Sequence, residues 1–168
     1  MNKSRPIYSD FQLDVAGARH LLVTDQQDPP VDLDNALPNL VVFSTRVRTK
    51  AEILTRLPQY LATQTVGLRV YAVGSEAFIW DIHMLATQAG MGQGEIHLTR
   101  AGPLIRRVYC THCQTFIEDV AKTITPCPGC GAVLEVRDHF SRHHRAFMGV
   151  RVDAEVPGEI PTPEAFTS

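Results

Sequence analysis

At 168 residues and a formal net charge of −2, the chain has room for one moderate core, or for a smaller core with an appended module. The charge divides evenly between the parts before and after Ala101, so there is no basic footprint for nucleic acid. No apolar run approaches the length of a membrane span and no targeting segment stands at the N-terminus, which predicts a cytoplasmic protein with no membrane partner.

Residues 1–19 are of mixed polarity, and residues 18–24 and 40–44 are short apolar runs rich in β-formers, separated by an Asp- and Pro-rich loop over 25–39. Thr49, followed three residues later by Glu52, is a capping-box signature. It opens an amphipathic helix carrying Ile53, Leu54, Leu57 and Leu61, which Pro58 is expected to kink or shorten. Residues 67–74 predict a buried strand ending in glycine. Ser75 is the expected cap of a second helix through Ala77, Ile79, Ile82, Leu85 and Ala86 to Gly90, and residues 95–99 read as a further strand. Strand, helix, strand, helix, strand implies a parallel α/β sheet.

The stretch YAVGS at 71–75, the helix after it, Ala89-Gly90 and Ile96-His97-Leu98, with VFSTR at 42–46 before them, resembles the last portion of the pyridine-nucleotide domain of ferredoxin reductase-like flavoproteins. The resemblance covers residues 40–100. Val73 and Ser75 replace the cysteine and proline of that family's Cys-Gly-Pro turn, and Gly74 alone remains. A nucleotide site at such a sheet needs a Gly-rich first turn that brings backbone N–H groups to the pyrophosphate. None lies upstream of residue 40, and Gly90-Met-Gly-Gln-Gly94 falls after a helix and before a strand, as an αβ loop does. The expected unit, residues 1–104, is a truncated Rossmann-like α/β domain without a nucleotide or flavin of its own. His20, His83 and His97 are isolated and read as hydrogen-bonded core or edge histidines, and Asp81 and His83 fall on different faces of one helix. Ser75 lacks the glycine that follows the serine in G-x-S-x-G, so no catalytic constellation appears.

The four cysteines of the chain stand as two pairs, Cys110-Thr-His-Cys113 and Cys127-Pro-Gly-Cys130. Two short C-x-x-C turns let four thiolates converge on one tetrahedral ion, whose binding energy folds a segment too small to hold itself by burial. Disulfides are disfavoured in a reducing compartment, and paired spacing disfavours free thiols. Zinc and iron accept the same ligands. Gly131 after the second pair suits a rubredoxin-type iron knuckle, but Gln114 follows the first pair, which favours Zn2+ over Fe. Residues 105–168 are thus expected to form a small zinc-ribbon or rubredoxin-like module with a C-terminal docking tail.

After the knuckles come DHFSRHHRAFMGV at 138–150 and VDAEVPGEIP at 152–161. Together with the four-cysteine knuckle they resemble the DmmA-like small subunit of bacterial dimethylamine monooxygenase, closely over 108–161 and more loosely in the α/β part. The resemblance implies a multi-subunit, haem-dependent, NADPH-using system that converts dimethylamine to methylamine and formaldehyde with O2. In it this chain would be a structural, docking or electron-relay subunit, with haem and flavin held by partner subunits. A different class, a stand-alone zinc-ribbon adaptor between proteins, stays open. Independently of the family, His139, Arg142, His143, His144 and Arg145 form a basic cluster suited to docking an acidic partner or an anionic cofactor. His139 and His143, at i and i+4, would share a face if this segment were helical and could then hold a second metal or a haem iron. The remaining reading is a solvated face.

Overall fold

The computed structural model describes residue 4, residues 6–28 and residues 39–167; the segment 29–38 of the expected Asp/Pro loop lies outside the described residues. The chain divides into two compact units, one of Tyr8–Gly102 and the other of the residues from Pro103 onward together with the described residues before Tyr8.

The first unit is an α/β layer. Strands β1 (Arg19–Thr24), β2 (Leu40–Ser44), β3 (Leu68–Gly74) and β4 (Ile96–Arg100) form a wholly parallel sheet in the order β2-β1-β3-β4. Helices α1 (Lys50–Ala62) and α2 (Glu76–Gln88) make the two crossovers from β2 to β3 and from β3 to β4. Both crossovers advance in the same direction, so the right-handed rule places both helices on one face, where they pack against each other. Ile53, Leu57 and Leu61 of α1 and Phe78, Ile79, Ile82 and Ala86 of α2 are buried there with Leu21, Val23, Val70 and Ala72 of the sheet.

The opposite face carries Leu22, Tyr71 and Val73, and is packed by Phe11 and Leu13 from the extended N-terminal segment. The backbone N–H of Asp14 donates to the Tyr71 hydroxyl at 2.9 Å, and His20 Nδ1 lies 3.1 Å from the same oxygen. His20 is the hydrogen-bonded core histidine expected. His97 stacks on the Tyr71 ring at 5.0 Å, but its buried Nε2 has no hydrogen-bond partner among the described residues, unlike the expectation for it. Burial pushes its pKa down, so the ring is neutral.

The local signals of α1 are realised in full. Thr49 Oγ1 accepts the Glu52 N–H at 3.2 Å, and Glu52 Oε2 accepts the Thr49 N–H at 2.7 Å. Pro58 does not shorten the helix, which runs without interruption through thirteen residues; burial of Leu57 and Leu61 beyond the capped first turn offsets the lost donor. Ser75 precedes α2 at the N-cap position, but its side chain makes no capping bond. Its hydroxyl donates instead to Asp25.

The second unit is a five-stranded ribbon in the order β6-β5-β9-β8-β7, built from β5 (Arg106–Cys110), β6 (Phe116–Val120), β7 (Ile124–Pro126), β8 (Val133–Ser141) and β9 (Ala146–Arg151). Two antiparallel hairpins, β5-β6 and β7-β8, flank β9, which runs parallel to β5 and antiparallel to β8. The helical reading of the His-rich segment is overturned here. His139 lies in β8 and Arg142, His143, His144 and Arg145 form the turn between β8 and β9. Phe140 and Phe147 face each other across that hairpin with ring centroids 5.2 Å apart, and their burial favours the β pairing over a helix. Arg106, 3% exposed, is sandwiched between the rings of Phe147 at 4.0 Å and Phe166 at 4.1 Å and pairs with Asp138 at 2.8 Å. The tail thereby returns onto the ribbon, where Ala165 bridges to Lys122.

Replacing Thr49 by Ala removes the α1 cap and should lower stability by about 1 kcal/mol, read as a shift of the denaturant midpoint with an unchanged slope.

Candidate metal centre

Each hairpin of the ribbon carries one C-x-x-C turn at its tip. Cys110 ends β5 and Cys113 leads into β6, while Cys127 follows β7 and Cys130 leads into β8. The two turns have the same backbone construction. Cys110 N–H donates to the Thr115 carbonyl at 2.9 Å and Cys127 N–H to the Ala132 carbonyl at 2.8 Å. Gln114 N–H donates to the Cys110 carbonyl at 2.9 Å, and Gly131 N–H to the Cys127 carbonyl at 2.9 Å. Gly131 takes a left-handed φ of 71°, as its position requires, and Gln114 takes a φ of 65° in the corresponding place. The absence of a glycine after Cys113 therefore leaves the knuckle backbone unchanged and does not discriminate zinc from iron.

The four sulfurs lie within 4.8 Å of one another. Cys110 and Cys130 are 3.9 Å apart, and Cys113 and Cys127 3.5 Å. An ion bound tetrahedrally about 2.3 Å from each sulfur sets edges of about 3.8 Å, so the donor set fits a four-thiolate metal. The separations are far too long for disulfides, whose bond is about 2.05 Å. Cys110 and Cys127 are buried, Cys113 is half-buried and Cys130 is exposed. The first sulfur of each turn thus faces the ribbon core with Leu134, and the second faces outward.

The sulfurs are set up to carry charge. Backbone N–H groups of Cys113 and His112 point to Cys110 Sγ, that of Thr115 to Cys113 Sγ, and that of Ala132 to Cys130 Sγ. The Thr115 hydroxyl, 3.2 Å from Cys113 Sγ, and then the Thr115 N–H pull the Cys113 thiol down to about 6. Cys130 goes the other way: the Ala132 N–H favours its thiolate, but local desolvation and the bonds from the neighbouring sulfurs prevail and push it up to about 11. Without a cation the cluster keeps protons; a divalent ion displaces them.

Three supporting residues escaped the reading of the sequence. Thr115 supplies the hydroxyl described above. Gly129 faces it across the two turns, where a Cβ would lie 2.2 Å from Thr115 Oγ1 and 3.1 Å from Cys113 Sγ. Gly149 of β9 lies behind the first turn. Its carbonyl accepts the N–H of Thr111 at 3.0 Å and the Thr111 hydroxyl at 3.1 Å, and a Cβ there would meet Val108 at 2.7 Å and Leu134 at 3.0 Å. The only trace in the sequence was the repeated spacing that puts Thr115 and Ala132 two residues after the second cysteine of each pair.

Family comparisons agree with both units. The C-terminal domain of the dimethylamine monooxygenase subunit DmmA-like family matches residues 107–150, and its N-terminal domain matches residues 27–96. The chain belongs to the DmmA-like family. A heme-dependent oxidative N-demethylase delta subunit from Ectopseudomonas mendocina (strain ymp) is 34% identical over 159 residues, covering 92% of this chain and 91% of that protein. No solved structure matches.

In this DmmA-like chain the basic cluster is held beside the first knuckle rather than on a separate helix. His144 stacks on Tyr109, the residue before Cys110, at 4.0 Å and 9°, and His143 meets His144 edge-on at 4.9 Å. Phe116 packs against Tyr109 at 5.1 Å and remains 45% exposed. Arg142, His143 and His139 are exposed, whereas His144 and Arg145 are half-buried, and Arg145 holds a left-handed φ of 53°. Among the described residues, the four cysteines are the one cluster with metal-ligating geometry, so His139 and His143 have no third ligand for a second ion.

Replacing Gly129 by Ala should push Thr115 off Cys113 and weaken metal retention roughly tenfold or more in a chelator competition, with the α/β unit unaffected in its far-ultraviolet signal.

Proposed function

We propose that this chain is a subunit of a haem-dependent, NADPH-using dimethylamine monooxygenase complex, in which the ribbon holds one metal ion and presents a docking surface to the haem and reductase subunits. The observation that carries the reading is the four-sulfur geometry inside a chain that belongs to the DmmA-like family along both units. The haem-dependent relative supports haem on a partner subunit; flavin is assigned to the reductase partner. The substrate pair is dimethylamine to methylamine and formaldehyde.

Cys110, Cys113, Cys127 and Cys130 are the proposed ligands. With Zn2+ the site is a clamp that fixes the two hairpins and so the docking face. A second reading, iron in a rubredoxin-like site that relays electrons, is favoured by the matched knuckles, including the left-handed Gln114, and by the outward Cys130. The chain's own contribution is the same in both cases: N–H groups that hold thiolate charge and a buried sulfur pair that anchors the site. Metal analysis with a visible spectrum separates the two. One zinc per chain and no colour support the clamp; one iron, a red protein and bleaching by dithionite support relay. Less than half an equivalent of either metal would overturn the ligand assignment. Cys127→Ser should unfold the ribbon and leave the α/β unit folded, because the metal energy acts locally.

His139, Arg142, His143, His144 and Arg145 form the proposed docking surface, with Phe116 and Tyr109 as its apolar part. Arg142 and His143 are the cleaner probes, because His144 and Arg145 also support the turn. Arg142→Glu with His143→Glu should retain the metal yet lose co-purification with the haem and reductase subunits, or slow dimethylamine turnover. Normal assembly and turnover of this double variant would refute docking there. A wild-type chain that recruits no haem-containing partner would favour the stand-alone adaptor.

A further inference from the structure

In doubly wound sheets, ligands bind outside the carboxyl ends of the strands, where the chain switches direction across the sheet. Here that point lies between β1 and β3, because the chain leaves β1 for β2 on one side and returns to β3 on the other. The components that receive an anion are present at this edge: Gly74 at the end of β3, the first turn of the thirteen-residue α2 behind Ser75, and the Lys50 ammonium. The occupant belongs to the chain itself. Asp25, the first residue after β1, directs its carboxylate into the turn with a side chain only 7% exposed. Its Oδ1 accepts the Ser75 N–H at 3.0 Å and the Gln26 side-chain amide at 2.7 Å; its Oδ2 accepts the Ser75 hydroxyl and lies 3.1 Å from Lys50 Nζ.

We propose that Asp25 is a built-in substitute for a nucleotide phosphate: it fills and neutralises the anion position of the α/β unit, so that this reductase-like sheet serves as a scaffold and not as a nucleotide site. The fit is close. A Cβ at residue 74 would lie 2.0 Å from Asp25 Oδ1, so a glycine at this position admits the carboxylate of the same chain. Burial alone would raise the Asp25 pKa, but the bonds from Ser75, Gln26 and Lys50 outweigh it and keep the group ionised. The neighbouring cations are also satisfied internally. Arg46 pairs with Asp28 at 2.7 Å and donates to the Gln27 carbonyl, and Arg48 stands over Phe43 at 5.8 Å. Asp25 and Asp28 thus supply carboxylates from the chain itself to Lys50 and Arg46 at this edge. This goes beyond the proposed function, and its consequence is that NADPH electrons enter the complex through a different subunit.

The test uses the full chain as wild type, Asp25→Gly and Asp25→Asn, melted at constant ionic strength in chloride, formate or phosphate. Opening the site with Asp25→Gly should lower the melting temperature by roughly 10 °C in chloride. At least half of that loss should return, saturably, with formate or phosphate. Asp25→Asn removes the charge but fills the space, so it should be destabilised and gain nothing from either anion. Wild type should be insensitive to the anion and show no NADPH heat in calorimetry. Asp25→Asn melting like wild type, recovery of Asp25→Gly in chloride equal to that in formate, or micromolar NADPH binding to wild type would each overturn the proposal. If Asp25→Gly does not fold in chloride, refolding in formate supports the proposal, and failure in all three salts refutes it. None of these outcomes touches the ribbon metal.

Discussion

The constraint on which the ribbon depends is electrostatic. Four sulfurs held within 4.8 Å of one another repel as thiolates and cannot all ionise without a cation. The strands of the two hairpins are three to nine residues long, and the apolar groups packed against the cysteines are Leu134, Ile117 and Ala132. A cation that turns mutual repulsion into shared attraction supplies cohesion that the apolar contacts lack. The rest of the unit follows from that need: N–H groups aimed at sulfur, glycines where turns meet, and an aromatic stack seated against the first knuckle.

The α/β unit answers a similar question with the opposite sign. A helix N-terminus and a lysine gathered at the end of a parallel sheet call for an anion, and Asp25 supplies one from within. One unit is proposed to import its counter-charge, and the other carries its own. That difference is compatible with a parallel sheet of order β2-β1-β3-β4 in a chain whose chemistry is proposed to lie in an assembly.

The legible features were those written in local spacing. The capping box of Thr49 and Glu52, the alternation of strands and helices and the paired cysteines each concern residues close in sequence, and each appears in the structure. What stayed hidden depends on contacts across the fold. The His-rich segment has a helical spacing between His139 and His143, but Phe140 and Phe147 bury themselves across a hairpin, and that long-range pairing overrides the local pattern. Ser75 looked like a cap because its partner, fifty residues earlier, could not be seen from its neighbours. Gln114 looked like a defect because glycine is the common residue in a left-handed position; polar residues reach that region at modest cost when the turn around them is fixed.

The placement of β9 has a consequence for how the protein is made. The last strand of the sheet lies between the two hairpins that carry the cysteines, and Gly149 in it backs the first knuckle. During synthesis all four thiols therefore leave the ribosome before the strand that sets their spacing. The nascent chain passes through an interval in which the sulfurs are present but their frame is not, and that interval is when they are most open to oxidation or to the wrong ion. Arrival of residues 146–151 ends it, so an ion proposed for this site meets its ligands in their final spacing only once the last strand is in place.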